Sequence, residues 1–257
     1  MEEKIQNSNQ SLIRHLSILS NPDGFIFSDA EKAGSRTYEL KTEAPVDFPE
    51  RFEEFVRNCG WAGNPWMDVT LTEHTNRFMV MPAAIDDPGQ QRVLFDASFT
   101  KCVPGELVVH PLSDGKQLFC YEIPTLRLDS YKHLFINLHL FNNAHLLTEW
   151  ILKQANTSGE TTMMAYKYGK NLHIFIASPT QLLFVNAFLT RTTQEDTYFC
   201  LRCIEQLNLD PFTLRCFVCS LTEQPVGLTE TLRPYIKNIR QAVFTGMPDH
   251  PVKLLID

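Results

Sequence analysis

Met163-Met-Ala-Tyr166, Leu172-His-Ile-Phe-Ile-Ala177 and Leu182-Leu-Phe-Val-Asn-Ala-Phe-Leu189 are three apolar runs separated only by the turn sequences Tyr168-Gly169-Lys170-Asn171 and Ser178-Pro179. Short apolar and aromatic runs bounded by Gly and Pro read as strands, and connections this short leave no room for a helical crossover. The three strands therefore form an antiparallel meander. Thr192-Thr193-Gln194-Glu195 follows as a helix N-terminal capping box, and Cys200, Cys203, Ile204 and Leu207 then fall at i, i+3, i+4 and i+7 of one helix, on a single buried stripe. A strand from Phe212 to Cys219, a helix from about Leu228 to Asn238 led by Gly227, and a short strand from Ile239 to Phe244 complete the segment.

The same order is expected at the start of the chain. Leu16 to Ser20 and Phe25 to Ser28 flank Asn21-Pro-Asp-Gly24, in which Pro presets φ, Asp offers an acceptor and Gly permits positive φ, so the pair is a hairpin. Thr37 to Thr42 is a third strand, and Phe52, Phe55 and Val56 make the apolar stripe of a helix that ends near Gly60. Val69 to His74 and Phe78 to Met81 read as strands, and Pro88 to Phe99 as a helix with Pro near its start. Between the two copies, strands at Glu106 to Pro111 and Gln117 to Ile123 flank the turn Ser113-Asp114-Gly115-Lys116; helices at Asp129 to Ile136 and Ala144 to Ala155 enclose an extended Leu138 to Phe141. Asn156-Thr-Ser-Gly159 is the expected linker, so residues 1–158 are read as a first lobe with a connecting insert and 159–257 as a second lobe. Residues 1–13 are polar and are expected to be loosely ordered. Dinucleotide-binding folds open strand–helix–strand, whereas each half here opens with consecutive strands.

Leu183-Phe-Val-Asn-Ala-Phe188, Thr193-Gln-Glu-Asp196, Tyr198, Glu205-Gln-Leu-Asn-Leu-Asp210 and Arg233-Pro-Tyr-Ile-Lys-Asn238 resemble the C-terminal part of an uncharacterised bacterial family with an actin-like ATPase fold. The first 158 residues match that family only in element order. The resemblance implies an α/β chain of actin-like ATPase fold, with two ribonuclease-H-like lobes that each open with a three-strand meander. It implies no reaction, because the family has no assigned activity.

The 257 residues are 44% hydrophobic and 21% charged, with 23 Lys and Arg against 30 Asp and Glu and a formal net charge of −7. No global positive field exists to condense on nucleic acid or anionic lipid, so neither is an expected partner. The most apolar stretch, Leu172 to Leu189, is interrupted by His173, Pro179 and Asn186 and falls short of the roughly 20 clean apolar residues of a membrane span. The start, Met1-Glu2-Glu3-Lys4, lacks the basic and apolar regions of a secretory signal, so a cytoplasmic location is expected. Seven cysteines without such a signal are expected to be reduced. Cys200-x-x-Cys203 and Cys216-x-x-Cys219 have the spacing of a four-thiolate zinc site. The helix and strand readings aim these thiols apart, however, and no metal is expected.

An actin-like ATPase cradles phosphates on backbone N–H groups of the first hairpin of each half and holds Mg²⁺ through carboxylates. Asp23 and Gly24 are the candidates in the first half and Gly169 in the second, as phosphate loops of an inter-lobe cleft. The second half has no carboxylate beside Gly169, and Ser220-Leu-Thr-Glu-Gln stands where a glycine pair would approach adenosine. His139 and His145 lack a third ligand and read as structural. Asp86-Asp87 before Pro88 reads as helix N-terminal capping. Arg233, Lys237 and Arg240 either complement a helix C-terminus or meet an acidic partner. No Gly-x-x-x-x-Gly-Lys-Ser/Thr, Gly-x-Ser-x-Gly or His-Glu-x-x-His is present. The leading expectation is a non-catalytic interaction or scaffold protein with an unidentified protein partner and no cofactor. The alternatives are a nucleotide-binding protein or weak ATPase using ATP with magnesium, and a zinc-supported binding module.

Overall fold

Strands joined by two-residue turns must pair with their sequence neighbours, and the remaining strands then add in parallel through helical crossovers. A computed structural model shows this outcome twice; it describes residues 14–21, 24–31, 34–41, 48–99, 104–220, 226–244 and 252–254. The first half runs β1 (Arg14–Asn21), β2 (Gly24–Glu31), β3 (Gly34–Lys41), α1 (Phe48–Asn58), β4 (Met67–Glu73), β5 (Phe78–Pro82), α2 (Pro88–Ser98), β6 (Gly105–Pro111), β7 (Gln117–Pro124), α3 (Thr125–Leu134), β8 (Asn137–Asn142) and α4 (Asn143–Ser158). The second runs β9 (Thr162–Tyr168), β10 (Asn171–Ser178), β11 (Gln181–Leu189), α5 (Thr193–Gln206), β12 (Arg215–Ser220), α6 (Val226–Leu232), β13 (Asn238–Phe244) and β14 (Val252–Leu254). No helix among the described residues is long and apolar enough to cross a membrane.

Two compact units divide the chain, one of residues 1–75, 101–108 and 122–143, the other of residues 76–100, 109–121 and 144–257. In the first, the sheet order is β3-β2-β1-β4-β8, with β1, β4 and β8 parallel. Leu16 and Ile18 of β1 and Val69 and Leu71 of β4 share one face and are buried against Phe52 and Val56 of α1 and Tyr131 of α3. Phe52 touches Phe25 at a ring separation of 4.3 Å and meets Tyr131 edge-on at 5.2 Å. Burying such a side chain stabilises the fold by roughly 1.5–3 kcal/mol, so α1 is held by its aromatic stripe.

In the second unit the sheet order is β11-β10-β9-β12-β13-β14, with the meander on one side, β12 and β13 adding in parallel on the other, and β14 pairing antiparallel with β13 at the edge. Met163, Ala165, Ile174, Cys216 and Val218 line the face covered by Cys200, Cys203 and Ile204 of α5 and Leu228 and Leu232 of α6. A separate three-stranded sheet has the order β5-β7-β6.

Three expectations from sequence are corrected. Asn156 to Ser158 are not a linker but the last turn of α4, and Gly159, with φ +69°, ends that helix by donating its N–H to Ala155 O at 3.0 Å. The residue signature of a linker and of an exposed C-terminal turn with a glycine cap is the same. The helix expected to reach Asn238 stops at Leu232, because Pro234 cannot donate to the ladder. The helix expected from Asp129 begins at Thr125, directly after Pro124.

Candidate functional site

In open sheets with parallel strands, ligands bind beyond the carboxyl ends of the strands. In the first unit these ends carry a polar row, with Ser20 of β1 beside Glu73 of β4 and Glu73 beside Asn142 of β8. Each lies two residues beyond an apolar core position of its own strand, Ile18, Leu71 and Leu140, so all three occupy the helix-facing side. Glu73 is 2% exposed and is met from α3 by the Tyr131 hydroxyl, which donates to Oε1 at 2.5 Å, and by Arg127 Nη1, which donates to Oε2 at 3.2 Å. Burial, reinforced by the Glu73 charge, raises the Tyr131 pKa well above that of a free phenol, keeping the hydroxyl a neutral donor. Asn143, the first residue of α4, is wholly buried, and its amide finds no hydrogen-bond partner among the described residues.

The second unit closes the corresponding position differently. Lys167 of β9 lies beside Ser220 of β12, in phase with Met163 and Ala165. Its ammonium donates to Asp196 Oδ1 at 2.8 Å and to Thr190 Oγ1, while Thr190 Oγ1 itself donates to the same Asp196 oxygen. Asp196 is 3% exposed in the first turn of α5, where the helix dipole favours a carboxylate. The capping box holds that turn in place: Glu195 N donates to Thr192 Oγ1 at 3.2 Å, and the Glu195 carboxylate reaches back to Arg191 N at 2.6 Å. This ammonium is therefore engaged by internal acceptors.

Asp23 lies outside the described residues. Gly24 opens β2, buried and with φ +145°, and pairs with Asn21, so two residues make the connection. Gly169 (φ +53°) and Lys170 form an equally short connection, since Tyr168 pairs with Asn171. Gly24 belongs to the first unit and Gly169 to the second. A triphosphate cradle needs a run of converging backbone N–H groups. The Gly169-Lys170 turn offers few, and in the first hairpin Pro22 has no N–H to contribute.

The other sequence candidates have structural settings. Asp87 caps α2 by accepting Gln90 N at 2.8 Å. His139 contacts Asp68 at 3.0 Å in the first unit, whereas His145 stacks on His110 at 4.7 Å in the second. Cys200, Cys203 and Cys216 belong to one apolar core, and Cys219 projects from the opposite face of β12. Burial pushes Cys203 up to about 11 and Cys216 up to about 12, away from the thiolate that binds metal. Among the described residues no group of three or more His, Cys, Asp or Glu is placed to hold a metal ion.

Glu73, Tyr131, Arg127, Lys167 and Thr190 were not singled out from sequence, and Asp196 was named only within the Thr193-Gln-Glu-Asp196 motif of the resemblance. The available signal was phase: Glu73 continues Val69 and Leu71, and Lys167 continues Met163 and Ala165, each placing a charge where the alternation calls for a buried residue.

The two sheets, with their common strand order and polar carboxyl ends, define an actin-like ATPase fold. A Bacteroides thetaiotaomicron VPI-5482 protein with an actin-like ATPase fold and unknown function superposes with a TM-score of 0.75 at 16% identity, over 90% of this chain and 91% of that one. A chain of a PilM-PilN type IV pilus biogenesis complex superposes with a TM-score of 0.51 at 11% identity, over 90% and 88%. The chain belongs to the family described as protein of unknown function, DUF3822, whose model matches residues 3–239. Comparison with curated proteins finds no match.

Proposed function

We propose that this protein is a non-catalytic interaction or scaffold protein of the bacterial cytoplasm, a duplicated actin-like fold whose phosphate loops have degenerated. The observation that carries the reading is the length of the two hairpins, in which Asn21 pairs with Gly24 and Tyr168 with Asn171. Phosphoryl transfer depends on positioned donors, a metal and an oriented water, and hairpins this short supply little of that geometry. The engagement of Lys167 by Asp196 and Thr190 supports the same reading, since that ammonium has acceptors without a ligand. The partner is a protein rather than nucleic acid or membrane, in keeping with the net charge of −7.

A second reading, a nucleotide-binding protein using ATP with magnesium, draws on the Ser20, Glu73 and Asn142 row and the unpartnered Asn143 amide beyond it. In that reading Asp23 and Gly24 would face the phosphates. Nucleotide titration separates the two. Under the scaffold reading Mg-ATP leaves the melting temperature unchanged and no phosphate is released; a saturable upward shift with phosphate release would favour the ATPase.

A further inference from the structure

Away from the carboxyl ends of the second unit, at the amino ends of β12 and β13, a pocket of about 320 Å³ gathers Arg215, Lys237 and Arg240 against the carboxylate of Glu160 alone. We propose that this pocket docks an acidic segment of a partner protein. The inference deepens the scaffold reading by naming the chemistry of the partner.

Register places Arg215 and Arg240, and Lys237 lines the pocket just ahead of β13. Arg215 pairs with Asn238 and Phe217 with Arg240, so the side chains of all four leave the face opposite the Cys216 and Val218 core. Arg215 is the fixed member: its side chain is 20% exposed, Nε lies 3.6 Å from Glu160 Oε2, and the guanidinium sits 5.5 Å above the Phe217 ring. Trp150 meets that ring edge-on at 5.0 Å and anchors it. A planar fork held in place loses little entropy when it takes a carboxylate. Lys237 and Arg240 are exposed, and neither has a carboxylate partner among the described residues. The backbone of Lys237 is pinned by its N–H to Pro211 O at 3.4 Å.

The competing explanation for Lys237 and Arg240 was charge complementary to a helix C-terminus. That effect fades beyond the last turn, and α6 ends at Leu232, five residues before Lys237. The local excess of cations therefore has no dipole to serve. In a chain of net charge −7 it is a local reversal of sign, which steers and orients an oppositely charged segment. The surrounding charge opposes a polyanion such as nucleic acid, whose binding needs an extended basic track.

Fluorescein-labelled hexaglutamate is the probe, with anisotropy read at about 0.05 M and 0.3 M NaCl, straddling the range over which surface charges become screened. The expected result is saturable binding, weakened by salt and reduced at least about tenfold, or 1.4 kcal/mol, in the Lys237→Glu/Arg240→Glu variant. Arg202→Glu on α5 should bind as wild type does, and circular dichroism should show all three proteins folded. The milder Lys237→Gln/Arg240→Gln variant should fall in between, and it stands in for the reversal should that fail to fold. Equal binding by wild type and the double variants, or no wild-type binding, would overturn the proposal. So would inorganic phosphate binding at the same residues while hexaglutamate does not, or tighter binding of a single-stranded oligonucleotide there. Mg-ATP-dependent phosphate release measured on the same samples keeps the two questions apart: a protein that hydrolyses ATP yet binds the peptide through Lys237 and Arg240 loses the scaffold reading and keeps the pocket.

Discussion

Glu73 is almost wholly buried and takes its two side-chain hydrogen bonds from one helix, through Tyr131 and Arg127. Removing a donor to a buried charged acceptor leaves that acceptor under-satisfied and costs about 2 kcal/mol. Tyr131→Phe should therefore lower the urea midpoint by that equivalent without changing the slope; an unchanged midpoint would mean that the hydroxyl does not hold the carboxylate. His145 gives a pH dependence of defined sign. Burial, then the neighbouring charge of His110, lowers its pKa from 6.5 to about 4, and the Glu149 carboxylate at 3.9 Å does not reverse this. Between those values the unfolded chain binds the proton and the folded chain does not, so stability is complete above pH 6.5 and is lost as pH falls toward 4, by up to about 3 kcal/mol. Urea unfolding across this window should show the loss for wild type and a flatter profile for His145→Phe. Parallel profiles would contradict it. Tyr131 was not legible in advance, lying on a helix like any buried aromatic; His145 reads as structural from sequence, but only the pairing of β6 and β7 near α4 shows that it stacks on His110. The phase of Glu73 and Lys167, by contrast, was present in the alternation and could have been used.

At the scale of elements, α5 shows how far local rules reach. Its capping box, its stripe of Cys200, Cys203 and Ile204 and its place after an apolar meander were readable because each depends on residues within a few positions. Thr192→Ala removes the acceptor for Glu195 N and should cost about 1 kcal/mol, seen as a lowered thermal midpoint; Thr192→Asn, which can accept the same bond, should restore most of it. A Thr192→Ala midpoint equal to wild type would show that tertiary packing alone fixes the start of α5. The segment 156–159 failed for the converse reason. Polar residues before a glycine describe a linker and a helix C-terminus equally well, and only the length of the α4 hydrogen-bond ladder distinguishes them. Cys216 and Cys219 face opposite ways on β12, as residues three apart on a strand do, and Cys219 leaves the core that holds Cys216.

At the scale of the whole molecule, strand order within each meander was legible because short turns force neighbours to pair. The position of β4 beside β1 and of β8 beside β4 was not, since parallel pairing is made across long crossovers whose partners no local pattern names. The separate β5-β7-β6 sheet is the clearest case, as its strands read individually while their pairing did not. As proposed, this actin-like fold does not process nucleotide, and thermal melting with saturating Mg-ATP, read together with phosphate release, decides between the two readings. The melting temperature should be the same with and without Mg-ATP, with no phosphate released and no difference between wild type and Asp23→Asn. A stabilisation approaching about 2.7 kcal/mol at a ligand concentration 100 times the dissociation constant, accompanied by phosphate release and abolished by Asp23→Asn, would contradict it.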